Sequence, residues 1–128
     1  MKQAIIIGAS SGIGWELGVQ LAAQGYQLGL MARREKCLEK LVDSLPGTHF
    51  IQTTDVANAE QAQNELSALL DRMGDVELII VNSGVGSKEK VLDWVVERQM
   101  IDVNIRGFAA MSLVAMNHFV KRGGGHLA

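Results

Sequence analysis

The chain has 128 residues, enough for one domain at the usual ~100 to 200 residues and too few for two. Hydrophobic residues make up 48% and charged residues 20%, a globular composition that excludes a disordered chain. Twelve Lys and Arg against fourteen Asp and Glu leave a net charge of -2, which offers no basic footprint for a phosphate backbone, so no nucleic-acid partner is expected.

Residues 2 to 7 form a short β-branched run that reads as a strand buried on both faces, as in parallel sheets. The apolar stretch stops after four residues at Gly8-Ala9-Ser10-Ser11-Gly12, which argues against a signal peptide. From Gly12 a helix is expected, with Ile13, Leu17 and Leu21 repeating every four residues as its apolar face and Gly25 as its C-cap. Gln27 to Ala32 is a second strand. Leu38, Leu41, Val42 and Leu45 then fall at helical spacing before Pro46-Gly47 breaks the pattern. Thr48 to Thr53 is a third strand, and Ala62, Leu66, Leu69, Leu70 and Met73 mark one face of a helix from about Asn58 to Met73.

Val76 to Val81 is a fourth strand. Lys88-Glu89-Lys90 reads as a solvated turn or helix start, and the chain onward to about Arg122 is helical in character, with Trp94, Val95, Phe108, Met111, Ala115 and Phe119 expected to be buried. Its most apolar segment, Phe108 to Val120, falls short of the ~18 to 20 residues that span a bilayer, so no membrane partner is expected. After Gly123-Gly124-Gly125, His126-Leu127-Ala128 opens a fifth strand. Strands alternating with helices imply right-handed crossovers and an open parallel sheet covered on both faces.

Gly8-Ala9-Ser10-Ser11-Gly12-Ile13-Gly14 joins a buried strand directly to a helix, the context of a phosphate-binding turn. Gly8 permits the tight turn, Gly12 lets backbone approach a pyrophosphate, and Gly14 lets the helix pack on the sheet. The helix N-terminus supplies unpaired N–H groups, and the Ser10 and Ser11 hydroxyls add donors. A packing turn without ligand is the alternative. Trp15 stands where a P-loop would need Lys.

The run Ile-Ile-Ile-Gly-Ala-Ser-Ser-Gly-Ile-Gly resembles the cofactor turn of the short-chain dehydrogenase/reductase family, with Ile7 in place of the usual Thr. That resemblance implies a Rossmann-type, doubly wound parallel α/β sheet over residues 1–128, a dinucleotide-binding domain incomplete beyond the start of its fifth strand. It also implies an oxidoreductase acting on a small-molecule alcohol or carbonyl substrate. Ala32-Arg33-Arg34 follows the second strand, where an acidic residue would accept from a ribose 2'-hydroxyl and Arg instead accommodates a 2'-phosphate. Arg33 and Arg34 therefore point to NADP(H), with Glu35 read as a first-turn helix carboxylate; a solvated helix start is the bland alternative.

The resemblance assigns Asp55 to the adenine amino group and the Val56 backbone amide to the ring, although an Asp before a helix is also an ordinary turn or capping residue. Val81-Asn82-Ser83-Gly84 is similar to the family's Asn-Asn-Ala-Gly, and Gly84 would let backbone approach a ribose at the carboxyl edge of the sheet. Asn104 matches the family's catalytic Asn, which holds a helix irregularity and a water in the proton relay; an N-cap or an exposed polar position would also explain it.

The family supplies its proton donor from Ser, Tyr and Lys. The one tyrosine here, Tyr26, precedes the second strand and has Leu30 four residues later, so it is not that Tyr. The chain alone is expected to be inactive, and a non-catalytic nucleotide-binding or partner-binding module is the alternative reading. In the expected strand order 3-2-1-4 the fourth strand would present a bare apolar edge, which with the long final helix predicts a homo-oligomer. His49, His118, His126 and the single Cys37 make no metal set; one cysteine and no leader favour the cytoplasm.

Overall fold

The computed structural model describes residues 1–10, 12–85 and 91–128; Ser11 and Lys88-Glu89-Lys90, read above as a solvated turn or helix start, lie outside them. Its strands are β1 (Gln3–Ile7), β2 (Gln27–Ala32), β3 (Phe50–Thr53), β4 (Val76–Val81) and β5 (His126–Leu127), and the helices are α1 (Gly12–Ala23), α2 (Glu35–Ser44), α3 (Ala59–Met73), α4 (Trp94–Ile101) and α5 (Phe108–Arg122). A π-helical segment, Asp102–Gly107, joins α4 to α5. The strands form one parallel sheet in the order β3-β2-β1-β4-β5. This is the doubly wound Rossmann-type sheet, and it reverses direction between β1 and β4.

Alternation along β1 divides the core. Ile5 and Ile7 face α3 and α5, where Leu66, Leu69, Met111 and Ala115 bury against them. Ala4 and Ile6 face the other way, toward α1 and α2, with Leu28, Leu30, Leu38 and Leu41. The apolar stripes expected on α2 and α3 are these buried faces.

The apolar face expected on α1 is not the buried one. Gly14, Gly18 and Ala22 are buried, whereas Ile13 is 72% exposed and Leu17 and Leu21 are only half-buried. A methyl at Gly18 would already touch Leu41, Ile6 and Leu28 at 3.4 to 3.9 Å. A face of small residues lets the helix axis lie close to the sheet, so larger side chains flank the contact instead of filling it.

Two further expectations are corrected. Trp94, Val95 and Phe108 were expected in the core but are 66%, 60% and 48% exposed: α4 buries no residue and adjoins the π-helical segment, and α5 buries Ala110, Met111, Ala115 and Phe119 instead of Phe108. The edge of β4 is not bare. Leu78 pairs with His126 and Ile79 with Leu127, and Ala128 exchanges backbone hydrogen bonds with Ile79 and Val81.

Among the histidines, His49 is structural. Its Nδ1 accepts from the Leu28 N–H at 3.0 Å while Nε2 donates to the Pro46 carbonyl at 2.7 Å, which specifies one neutral tautomer. His118 Nε2 donates to the Val76 carbonyl at 2.9 Å. Among the described residues no group of His, Cys, Asp and Glu could hold a metal ion, and no helix is long and apolar enough to cross a membrane.

Candidate functional site

Because every strand runs the same way, the loops after β1, β2, β3 and β4 converge at one edge of the sheet. They enclose a cleft of about 320 Å³, within the ordinary range for a small-molecule site. It lies at the point where the strand order reverses, where open α/β sheets bind ligands.

Its floor is the glycine turn. Gly8 has φ +94°, and a methyl there would lie 2.8 Å from the Ser83 N–H nitrogen. A methyl at Gly14 would overlap the Gly8 carbonyl oxygen and sit 2.9 Å from Asn82 Nδ2. Asn82 Nδ2 donates to that same carbonyl at 3.3 Å, and the Asn82 N–H donates to Ile7 at 2.8 Å. Strand end, helix start and β4 thus meet at one point, where only glycine fits. Gly8 and Ala9 are also tied to the Met31 carbonyl of β2. Gly12, φ +61°, is exposed, and a methyl there would meet nothing within 4 Å.

On the β2 side, Arg34 Nη2 donates to Ser10 Oγ at 3.1 Å, joining the glycine turn to the start of α2. Arg33 lines the cleft beside it. Glu35 occupies the first turn of α2, as expected. Ile13, part of the glycine turn expected to bind the cofactor, lines the cleft, although its helical spacing also suggested the apolar face of α1.

After β3, Asp55 Oδ1 accepts from the Ala57 N–H at 3.0 Å and its carbonyl accepts from Asn58 at 3.0 Å. The Asp therefore forms a local turn that leads into α3, and Val56 is buried beside it. Thr54, 4% exposed, was not singled out from sequence; its hydroxyl, like that of Ser83, is buried without a hydrogen-bond partner. Both residues line the cleft. A lone Thr at a strand end carries no sequence signal that would have found it.

After β4, Asn104 reaches across from the π-helical segment. Its Oδ1 accepts from the Val85 N–H at 2.9 Å and its Nδ2 donates to the Val85 carbonyl at 2.8 Å. Gly84 packs under it, since a methyl there would be 3.4 Å from Asn104 Oδ1. The helix irregularity implied by the resemblance is present, and Asn104 lies inside it. Tyr26 sits at the opposite edge of the sheet, where its ring lies 5.9 Å from Lys2 Nζ.

Residues 2–128 match the short chain dehydrogenase family. The chain belongs to the short-chain dehydrogenase/reductase family. An uncharacterized oxidoreductase of Listeria innocua is 34% identical over 98% of this chain and 53% of its own length, and one of Staphylococcus epidermidis is 30% identical over 98% and 56%. The short-chain dehydrogenase/reductase chain described here thus spans about half the length of these relatives. An alcohol dehydrogenase of the archaeon Thermococcus sibiricus, solved in complex with 5-hydroxy-NADP, superposes with TM-score 0.87 at 32% identity, over 97% of this chain and 55% of that one. A 3-ketoacyl-ACP reductase of Sinorhizobium meliloti superposes with TM-score 0.87 at 27% identity, over 98% and 51%.

Proposed function

We propose that this chain is the cofactor-binding part of an NADP(H)-dependent oxidoreductase that acts on an alcohol or carbonyl. The observation that carries the reading is the pairing of the glycine turn with Arg33 and Arg34 at the end of β2, where no carboxylate stands. The cradle fits a dinucleotide. Gly8 and Gly14 leave no room for side chains, its wall holds two buried hydroxyls without partners, and the Arg33 and Arg34 side chains line it at the end of β2.

In that reading the α1 N-terminus and the Gly12 backbone hold the pyrophosphate, and Arg33 and Arg34 pair with the 2'-phosphate. Asp55 and Val56 border the adenine, while Asn82, Ser83 and Gly84 line the path toward the nicotinamide. When bound, the nicotinamide supplies or accepts a hydride. Asn104 orients the Val85 backbone at that end, and the 5-hydroxy-NADP complex of the Thermococcus relative supports the choice of nucleotide.

Titration with NADPH and NADH tests the reading, with NADPH expected to bind much more tightly. Equal affinity would overturn the assignment of Arg33 and Arg34. No turnover is expected from this chain by itself, because Tyr26 lies away from the cleft; that same observation favours nucleotide binding without catalysis as the second reading. A homo-oligomer is part of the proposal, supported by the exposed apolar stripe of Ile101, Ile105, Phe108, Met116 and Val120.

A further inference from the structure

We propose that Gly107 is a positioning residue: its backbone contact with the Val56 carbonyl couples the turn at one end of the cleft to the Asn104–Val85 hydrogen bonds at the other. Gly107 closes the π-helical segment and is buried. A methyl on it would lie 2.6 Å from the Val56 oxygen and 3.1 Å from both the Val56 carbonyl carbon and the Asp102 oxygen. The nearest atoms are backbone, so no side chain can rotate out of the way, and overpacking of this kind moves a segment.

The segment that moves is set by how each side is held. The turn is fixed by Thr54 N–H to Ala32, Asn58 N–H to Asp55 and Ala62 N–H to Asn58, with the Asp55 carboxylate on Ala57 as well. Gln63 of α3 donates to the Ala110 carbonyl at 3.1 Å, which ties the first turn of α5 to the helix that grows out of that turn. Residues 102–107 lie between these anchors and have the wide turns of a π-helix. Displacement therefore concentrates there, and Asn104 is carried with it.

Its bonds to Val85, at 2.9 and 2.8 Å, weaken steeply with added distance and bend. Val56, Val103 and Val85 all line the cleft, so the Gly107 contact sets the spacing between its two ends. The consequence for ligand binding rests on the cofactor reading; the coupling itself does not.

Amide NMR of the chain tests it without ligand. Gly107→Ala is expected to shift the Val85 N–H and Asn104 side-chain resonances and to speed exchange at Val85 about tenfold or more. Phe119→Leu, a core change in α5 away from Val56, is expected to lower stability and leave those signals in place. Unchanged Val85 and Asn104 signals in Gly107→Ala would overturn the proposal. Should that variant not fold, Asn104→Ala reads the same coupling in reverse, because coupling is reciprocal: the Gly107 and Ala57 amides are expected to shift, and their constancy would overturn it equally.

With ligand, Gly107→Ala is expected to weaken NADPH about tenfold and 2'-phospho-AMP, which reaches only the adenosine end, less than about threefold. Equal losses would reject the coupling. If the unmodified chain binds neither probe, the cofactor reading fails, while the ligand-free spectra still decide the coupling.

Discussion

Arg34 and Ser10 are joined by a hydrogen bond of 3.1 Å from Nη2 to Oγ, across 24 residues of chain. The bond ties the glycine turn to the strand end to which the proposed function assigns the choice of nucleotide, so a guanidinium is already held at the cleft. Arg33, one residue earlier, stands at the same strand end and borders the same cleft.

Arg33→Asp is therefore expected to reverse the nucleotide preference. Loss of a charge-assisted contact and the new carboxylate together weaken NADPH by about 10- to 100-fold, while NADH gains an acceptor for its 2'-hydroxyl. Calorimetric titration of both nucleotides against both proteins checks this, and an unchanged ratio of affinities rejects it.

Gly14→Ala tests the cradle. Its methyl would overlap the Gly8 carbonyl and crowd Asn82 Nδ2, and the nearest obstacle is backbone. A loss of about 1 to 3 kcal/mol in urea unfolding is expected, with nucleotide binding weakened in whatever fraction remains folded. Gly25→Ala is the contrast: a methyl there meets nothing within 4 Å, and its cost comes from φ +91° alone, so its effect on nucleotide affinity should be negligible.

Acid sensitivity is expected at the far end of the sheet. The Arg122 guanidinium, 2.6 Å from Asp75, holds the Asp75 carboxyl below its ordinary value of 3.8 through a hydrogen bond and charge attraction. A folded-state pKa below the unfolded one adds stability that is present above 3.8 and is lost as pH falls through the lowered value. Arg122→Gln should move the Asp75 titration upward, as read by carboxyl NMR, and flatten the acid limb of stability. Since the Asp75 side chain is 78% exposed, added salt should shrink the difference. An unmoved Asp75 titration would refute the pairing.

Association through α5 is the remaining prediction. Phe108, 48% exposed, and Met116, 52% exposed, belong to an apolar stripe that continues through the π-helical segment. Light scattering should report a dimer or larger species, and Phe108→Glu should shift it toward monomer. A monomer at every concentration of the unmodified chain would sink the idea.

Much of the architecture was legible in order and spacing. The bounds of β4, the turn at Pro46-Gly47 and the buried face of α3 follow from periodicity because those elements bury large aliphatic side chains. The glycine turn was legible for a different reason: strand, small residues and helix in immediate succession allow few geometries. Burial on α1 was legible only in part: Gly14 and Ala22 read as packing residues and are buried, but the helical repeat also favours Ile13, Leu17 and Leu21, while close approach to the sheet selects Gly18 instead. Asn82 and Asp55 were visible as residues, but that they hold Gly8 and Ala57 was not.

The amino-acid sequence by itself determined the alternation of strands and helices, the phosphate-type turn and the two arginines after β2, because each depends on neighbours within a few positions along the chain. Only the tertiary structure decided that Asn104 holds both backbone atoms of Val85, that Gly107 meets the Val56 carbonyl, and that Thr54 and Ser83 bring buried hydroxyls to one cleft. Those contacts join residues 19 or more positions apart, and distances between such residues are set by how helices pack across a twisted sheet, which no local pattern encodes.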